Sequence, residues 1–109
     1  MKTTIKFTQS PAIALIDKER RRQVETEGYT LASDVECHDD GELALAAACY
    51  AIPSDKRTLM DFFKVWPWAK VWWKPSTGDR KREIIKAGAL LVSEWDRLDA
   101  VEQLNKENK

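Results

Sequence analysis

The stretch that decides the fold runs from Arg80 to Gln103 and reads RKREIIKAGALLVSEWDRLDAVEQ. Its Ile84, Gly88, Leu91, Trp95 and Leu98 recur at alternating steps of four and three, the period of one helix face. Asp79 stands where an N-cap belongs, since a short acidic side chain accepts from the unpaired N–H groups of the first turn. The spacing predicts one long helix over about 80–103 with that stripe facing the core, and residues 104–109 as a frayed end. Ala87-Gly88-Ala89 makes the helix slim at its middle.

Upstream, Leu43 to Ile52 is apolar nearly all round and rich in alanine, as a buried helix is. Asp39 is placed to cap it, with Glu42 as the reciprocal partner of a capping box, and Pro53 ends it. Ala44, Ala47 and Ala48 leave this helix slim too. The two slim helices are expected to cross closely, with Ala47, Ala48 and Gly88 buried at the crossing. A further helix is expected from Pro11 to Glu27, with Ser10 as N-cap, Pro11 at the first helical position and Gly28 as the stop.

Between these elements, Tyr29 to Cys37 lacks a sustained period and reads as a loop. Ser54 can cap a short helix carrying Leu59, Met60, Phe62 and Phe63. Val65 to Lys74, VWPWAKVWWK, reads as an aromatic loop with room for a helical turn, because Pro67 blocks regular structure. Met1 to Gln9 is either a short strand or a loose tail. The expected architecture is a single all-α domain over 1–109. It is a compact bundle of three main helices, one or two short helices and a Trp-rich loop.

Composition narrows the function. The 109 residues carry 18 Lys+Arg and 18 Asp+Glu, so no basic excess exists to hold nucleic acid by bulk charge. No apolar run approaches the roughly 20 residues of a membrane span. Met1 to Ser10 has no long apolar core of the kind a signal peptide carries. Two cysteines, Cys37 and Cys49, are too few for a disulfide framework. A reduced, cytoplasmic protein is the expectation, with the two thiols unbonded.

Three groups of residues are candidates for chemistry. On the first helix Ile13, Ile16, Arg20, Gln23, Val24 and Glu27 share a face at 100° per residue. The face begins apolar and turns polar, so three polar side chains point inward if the helix is packed along its length. Such convergence lines a ligand site; the plainer alternatives are a solvated end or a structural Arg20–Glu27 pair. The second group is Asp34, Glu36, Asp39 and Asp40 around Cys37 and His38. Oxygen-rich clusters hold Mg²⁺ or Ca²⁺, and Cys37, His38 and Cys49 fall one ligand short of a closed zinc site. The plainer reading, capping and a solvated acidic loop, is preferred, and neither metal nor cofactor is expected. The third group is the aromatic segment. Trp66, Trp68, Trp72 and Trp73 interleave with Lys64, Lys70 and Lys74, a pattern that fills a core or stacks on a base beside a phosphate.

The blocks ERRRQVETEGYT, DD, GELALAAACYA, WPW, WWKP and DRKREIIKAGALLVSEWDRLD, in this order between about Asp17 and Asp99, resemble a family of small phage and prophage proteins. The resemblance implies a phage accessory product in the cytoplasm of a bacterial host, and little chemistry. Arg20, Glu27-Gly28-Tyr29-Thr30 and Asp39-Asp40 are similar to part of the ryanodine-receptor-type repeat, a suspected ligand-sensing module with tryptophan where Tyr29 stands. The downstream proline-tyrosine portion of that repeat is missing here. A likeness to MazG-type nucleotide pyrophosphohydrolases implies paired carboxylates on helix faces, E-x-x-E then E-x-x-D, holding Mg²⁺. Asp39-x-x-Glu42 is the nearest first pair, but Arg97 follows Glu94 where an acid belongs, and Asp96 is followed by Asp99.

The leading expectation is therefore a non-enzymatic accessory protein binding a small anionic or nucleotide ligand, suited to sequestering a host signalling nucleotide in counter-defence. Arg20 and Lys74 would meet the anion. Gln23, Glu27, Tyr29, Asp39 and Asp40 would complete the site, and Trp66, Trp68 or Trp73 would stack. The alternatives are a MazG-like Mg²⁺-dependent enzyme using Asp39, Asp40 and Glu42, and an interaction module that inhibits a host protein through its Trp-rich segment. Self-association is compatible with each.

Overall fold

The computed structural model describes residues 9–59 and 61–108. Its order is α1 (Pro11–Thr26), α2 (Leu31–Cys37), α3 (Glu42–Ala51), a 3₁₀ turn at Ser54–Leu59, α4 (Phe62–Val65), a 3₁₀ turn at Lys70–Trp72 and α5 (Arg80–Glu107). Among the described residues there is no strand, and the all-α class holds. The reading of 1–9 as strand or tail falls, but for Gln9, outside the described residues, as does Met60.

Local chemistry sets the helix ends. Ser10 accepts from the Ala12 N–H at 3.2 Å with Pro11 beginning α1, and Asp79 accepts from the Arg82 N–H at 3.1 Å to open α5. Two expectations at the start of the second predicted helix are corrected. Tyr29–Cys37 is no loop: Thr30 accepts from the Ser33 N–H at 3.1 Å and starts α2. Asp39 is not the cap of α3, whose N-cap is Gly41 at φ +80°, a left-handed conformation that favours glycine. The capping box does not form either, since the Glu42 carboxylate accepts from the Asp40 N–H at 2.6 Å rather than from that of Asp39.

The core lies between α3 and α5. Leu43, Ala46, Ala47, Cys49 and Tyr50 pack with Ala87 and Leu90, and Trp66 closes the cluster from the aromatic segment. The pairing of these two helices stands, but two of its expected contacts do not. Ala48 is exposed. Gly88 is half-buried and faces α1, where an added Cβ would lie 2.7 Å from Ile16 Cδ1.

The stripe on α5 requires a larger correction. Ile84, Leu91, Trp95 and Leu98, expected in the core, are 47–66% exposed. The inward face is the neighbouring one, Glu83, Lys86, Leu90, Ser93 and Arg97, which has the same helical spacing and is mostly polar. It can be buried because most of its polar groups find partners. Glu83 pairs with Arg57 at 3.1 Å and accepts from the Ser76 N–H at 3.3 Å, Lys86 donates to the Lys74 carbonyl and the Ser76 hydroxyl, and Arg97 pairs with Glu94. Burial of a charge is tolerated where an opposite charge meets it, as at Glu83 and Arg97.

A cationic, aromatic-walled cavity

Where α1, the aromatic segment and α5 meet, they enclose a cavity of about 340 Å³. α1 supplies Glu19, Arg22 and Gln23 from successive turns of one face, followed by Glu27 at its C-cap. α5 supplies Arg82 and Lys86 one turn apart, with Leu90 a further turn on. Trp68, Trp72 and Lys74 come from the segment that Pro67 keeps irregular, and Tyr29 and Tyr50 complete the wall.

The charges form a chain. Arg22 grips Glu19 through two hydrogen bonds at 2.7 and 2.9 Å and reaches Glu27 at 3.3 Å. Arg82 meets Glu19 at 2.6 Å, and Lys74 meets Glu27 at 3.0 and 3.1 Å. Burial pushes the Glu19 carboxyl up, but the hydrogen bonds and charges of Arg22 and Arg82 more than reverse this, so it titrates below the usual carboxylate range. Glu27 is lowered in the same way by Lys74 and Arg22 against its own burial. Four cations against two carboxylates leave the lining two positive charges in surplus.

Two side chains are incompletely satisfied. Gln23 is 3% exposed, and its amide N–H donates to Glu19 at 3.2 Å, which fixes the amide orientation and leaves Oε1 buried without a donor. Lys86 has neutral acceptors only, the Lys74 carbonyl at 2.7 Å and the Ser76 hydroxyl at 2.8 Å. Burial first, and Arg82 second, push its ammonium pKa down.

A second cleft of about 280 Å³ adjoins the first and shares Glu27, Tyr29, Trp68 and Trp72 with it. Its remaining walls are His38 and Ala69. The His38 ring is held through Nδ1, 2.8 Å from Oδ1 of Asp34 one helical turn back, and Asp34 is fully buried.

Of the residues expected at a site, Gln23, Glu27, Tyr29, Trp68 and Lys74 come together here. The other five do not. Arg20, expected to meet the anion, instead pairs with Asp96 of α5 at 3.1 Å. Asp39 and Asp40 are exposed in the α2–α3 connection. Trp66 is a core residue whose indole N–H donates to the Ala69 carbonyl at 3.1 Å. Trp73 packs on Tyr50 at 4.6 Å with the Arg57 guanidinium 5.0 Å from its ring. Glu19, Arg22, Tyr50, Arg82 and Lys86 were not expected, and Trp72 was a candidate only as part of the aromatic segment. The signal for Arg22 was present in the Arg20-Arg21-Arg22 run, but a helical wheel alone does not choose among adjacent arginines. The segment Leu31–Cys37 gave no period from which the placement of Asp34 and His38 could be read.

Comparison of the chain with protein families, curated proteins and solved structures finds no match.

Proposed function

We infer that the protein binds a small anionic ligand in the cavity between α1, the aromatic segment and α5. The observation that carries this reading is the buried Lys86, which has no carboxylate within hydrogen-bonding reach among the described residues, in a lining with two positive charges in surplus. A buried cation of this kind is costly unless an anion completes it. The cavity volume lies in the range of small-molecule sites, and Tyr29, Tyr50, Trp68 and Trp72 give it the aromatic walls usual for them, beside a lining more charged than most. A phage or prophage accessory role, in which the protein sequesters a host signalling molecule, is the setting the sequence resemblance suggests.

The carboxylates needed by the Mg²⁺-dependent alternative do not gather. Asp39 and Asp40 are exposed, and among the described residues no three metal-ligating side chains cluster. The binding reading is therefore preferred.

The test is calorimetric titration with inorganic phosphate and pyrophosphate. Binding should occur and should weaken at least tenfold in Lys74→Ala, whose side chain is half-exposed and whose loss spares the core. Arg21→Ala, on the solvent side of α1, should bind as the parent does. Equal losses in the two variants would mean diffuse surface charge and would overturn the reading.

A further inference from the structure

Of the four tryptophans between Trp66 and Trp73, three are committed to other rings. Trp66 meets Tyr50, Phe62, Trp68 and Trp73. Trp68 meets Tyr29 at 5.3 Å and His38 at 5.2 Å, and Trp73 meets Tyr50 and Phe62 at 4.6 Å each. Trp72 has no ring partner among the described residues. It is 51% exposed, and its nearest cation is Lys74 Nζ, 5.8 Å from the ring centroid. An indole half in water with an unstacked face is unusual in a segment whose other rings are all packed. It also stands on the wall common to both clefts.

The two clefts share their aromatic wall and differ in charge, since the four cations line only the first. One holds Arg22, Lys74, Arg82 and Lys86; the other is walled by Tyr29, His38, Trp68 and Trp72. A ligand that uses both needs an anion at one end and a flat ring at the other. The two-charge surplus of the cationic side matches one phosphomonoester, which carries roughly −1.5 to −2 at neutral pH. The unpartnered Gln23 Oε1 on the cationic side and the Glu27 carboxylate on the shared wall are both acceptors. They call for O–H and N–H groups on the ligand between its ring and its phosphate. A sugar with a nucleobase has both.

We propose that the ligand is a mononucleotide unit, with its phosphomonoester among Arg22, Lys74, Arg82 and Lys86 and its base stacked on the free face of Trp72. This rests on the anion-binding reading above and specifies its ligand. Two sources share the chemistry: a free nucleoside 5′-monophosphate and the 5′-phosphorylated end of a strand.

The experiment compares inorganic phosphate, adenosine, adenosine 5′-monophosphate and a 5′-phosphorylated trinucleotide by calorimetry on the full chain. The monophosphate should bind at least tenfold more tightly than phosphate or adenosine alone. Equal affinity of the trinucleotide would assign the site to strand ends, and loss of its binding would assign it to the free nucleotide; either outcome supports the mononucleotide unit. Trp72→Ala should weaken the monophosphate roughly ten- to hundredfold and leave phosphate unchanged, the effect of one lost stacking contact. Trp72→Phe should retain most of the affinity. Trp95→Ala, which removes an exposed tryptophan from α5 outside both clefts, should change nothing. If phosphate binds as tightly as the monophosphate and Trp72→Ala is silent, the base seat is refuted while anion binding stands. If neither anion binds, both fall.

Discussion

The Arg20 guanidinium and the Asp96 carboxylate meet at 3.1 Å and tie α1 to α5 outside the cationic cavity. Arg20 is thus a structural partner, although sequence spacing placed it on the face expected to bind. Arg20→Ala should cost about 1–3 kcal/mol, the range for a hydrogen bond to a charged group. It should leave phosphate affinity within twofold. Urea unfolding and calorimetry on one preparation separate the two effects, and lost binding without lost stability would return Arg20 to the site.

Glu19 gives the stability of the fold an acid dependence. Its carboxyl, buried and gripped by Arg22 and Arg82, titrates below its unfolded value. A lowered folded pKa gives stability that is present above the unfolded pKa and lost as pH falls through the folded one. Unfolding free energy should therefore decline as pH falls below about 4.5, the ordinary carboxylate value. Glu19→Gln should cost about 1.5–3 kcal/mol near neutrality, the range for a hydrogen bond to a charged group, since Arg22 and Arg82 stay partly solvated, and should flatten the decline. An undiminished acid slope in Glu19→Gln would place the titrating group elsewhere.

Gly88 is where α1 crosses α5. A Cβ there meets Ile16 Cδ1 at 2.7 Å and Cγ1 at 3.0 Å. Gly88→Leu should destabilise by about 1–3 kcal/mol through overpacking. Ile16→Ala in the same chain should restore part of the loss, and thermal unfolding of the two single variants and the double variant measures the coupling. Strictly additive losses would show that the two residues do not touch.

The two thiols should react at very different rates. Cys37 is exposed at the end of α2, and Cys49 is fully buried in α3 with its thiol pKa pushed up by burial. A chromogenic disulfide reagent should modify one equivalent rapidly in the native protein and the second only on unfolding. Rapid loss of both thiols would mean that α3 opens readily.

Much of the fold was legible because local rules determined it. Ser10 before Pro11, Asp79 before Arg80 and Pro53 after Ile52 mark ends by backbone chemistry alone, and the structure starts α1 and α5 and ends α3 accordingly, while α5 continues to Glu107 through residues expected to fray. α2 was missed because seven residues make too few turns to show a period, though Thr30 was a usable cap signal. The inward face of α5 was missed for a different reason. Hydrophobic patterning assumes that polar side chains avoid the core, whereas Glu83 pairs with Arg57 and Lys86 donates to the Lys74 carbonyl and the Ser76 hydroxyl, groups that lie outside the helix. At the site, Gln23, Glu27 and Lys74 were legible as polar residues in anomalous places. Arg22, Arg82 and Lys86 were not, since their roles follow from the angle at which α1 meets α5.

The ion pairs around the cavity also bear on how the chain reaches its native state. Arg82 meets Glu19 across 63 residues of sequence, and Lys74 meets Glu27 across 47. Helical proteins usually fold quickly because their contacts are local. Here the walls of the cavity exist only after loops spanning much of the chain have closed, each closure preceding the contacts that reward it. During synthesis the growing chain has no such cavity until Lys86 and Leu90 have emerged. A ligand held there, as proposed above, would draw the population toward the folded form, since no earlier form has the assembled cavity.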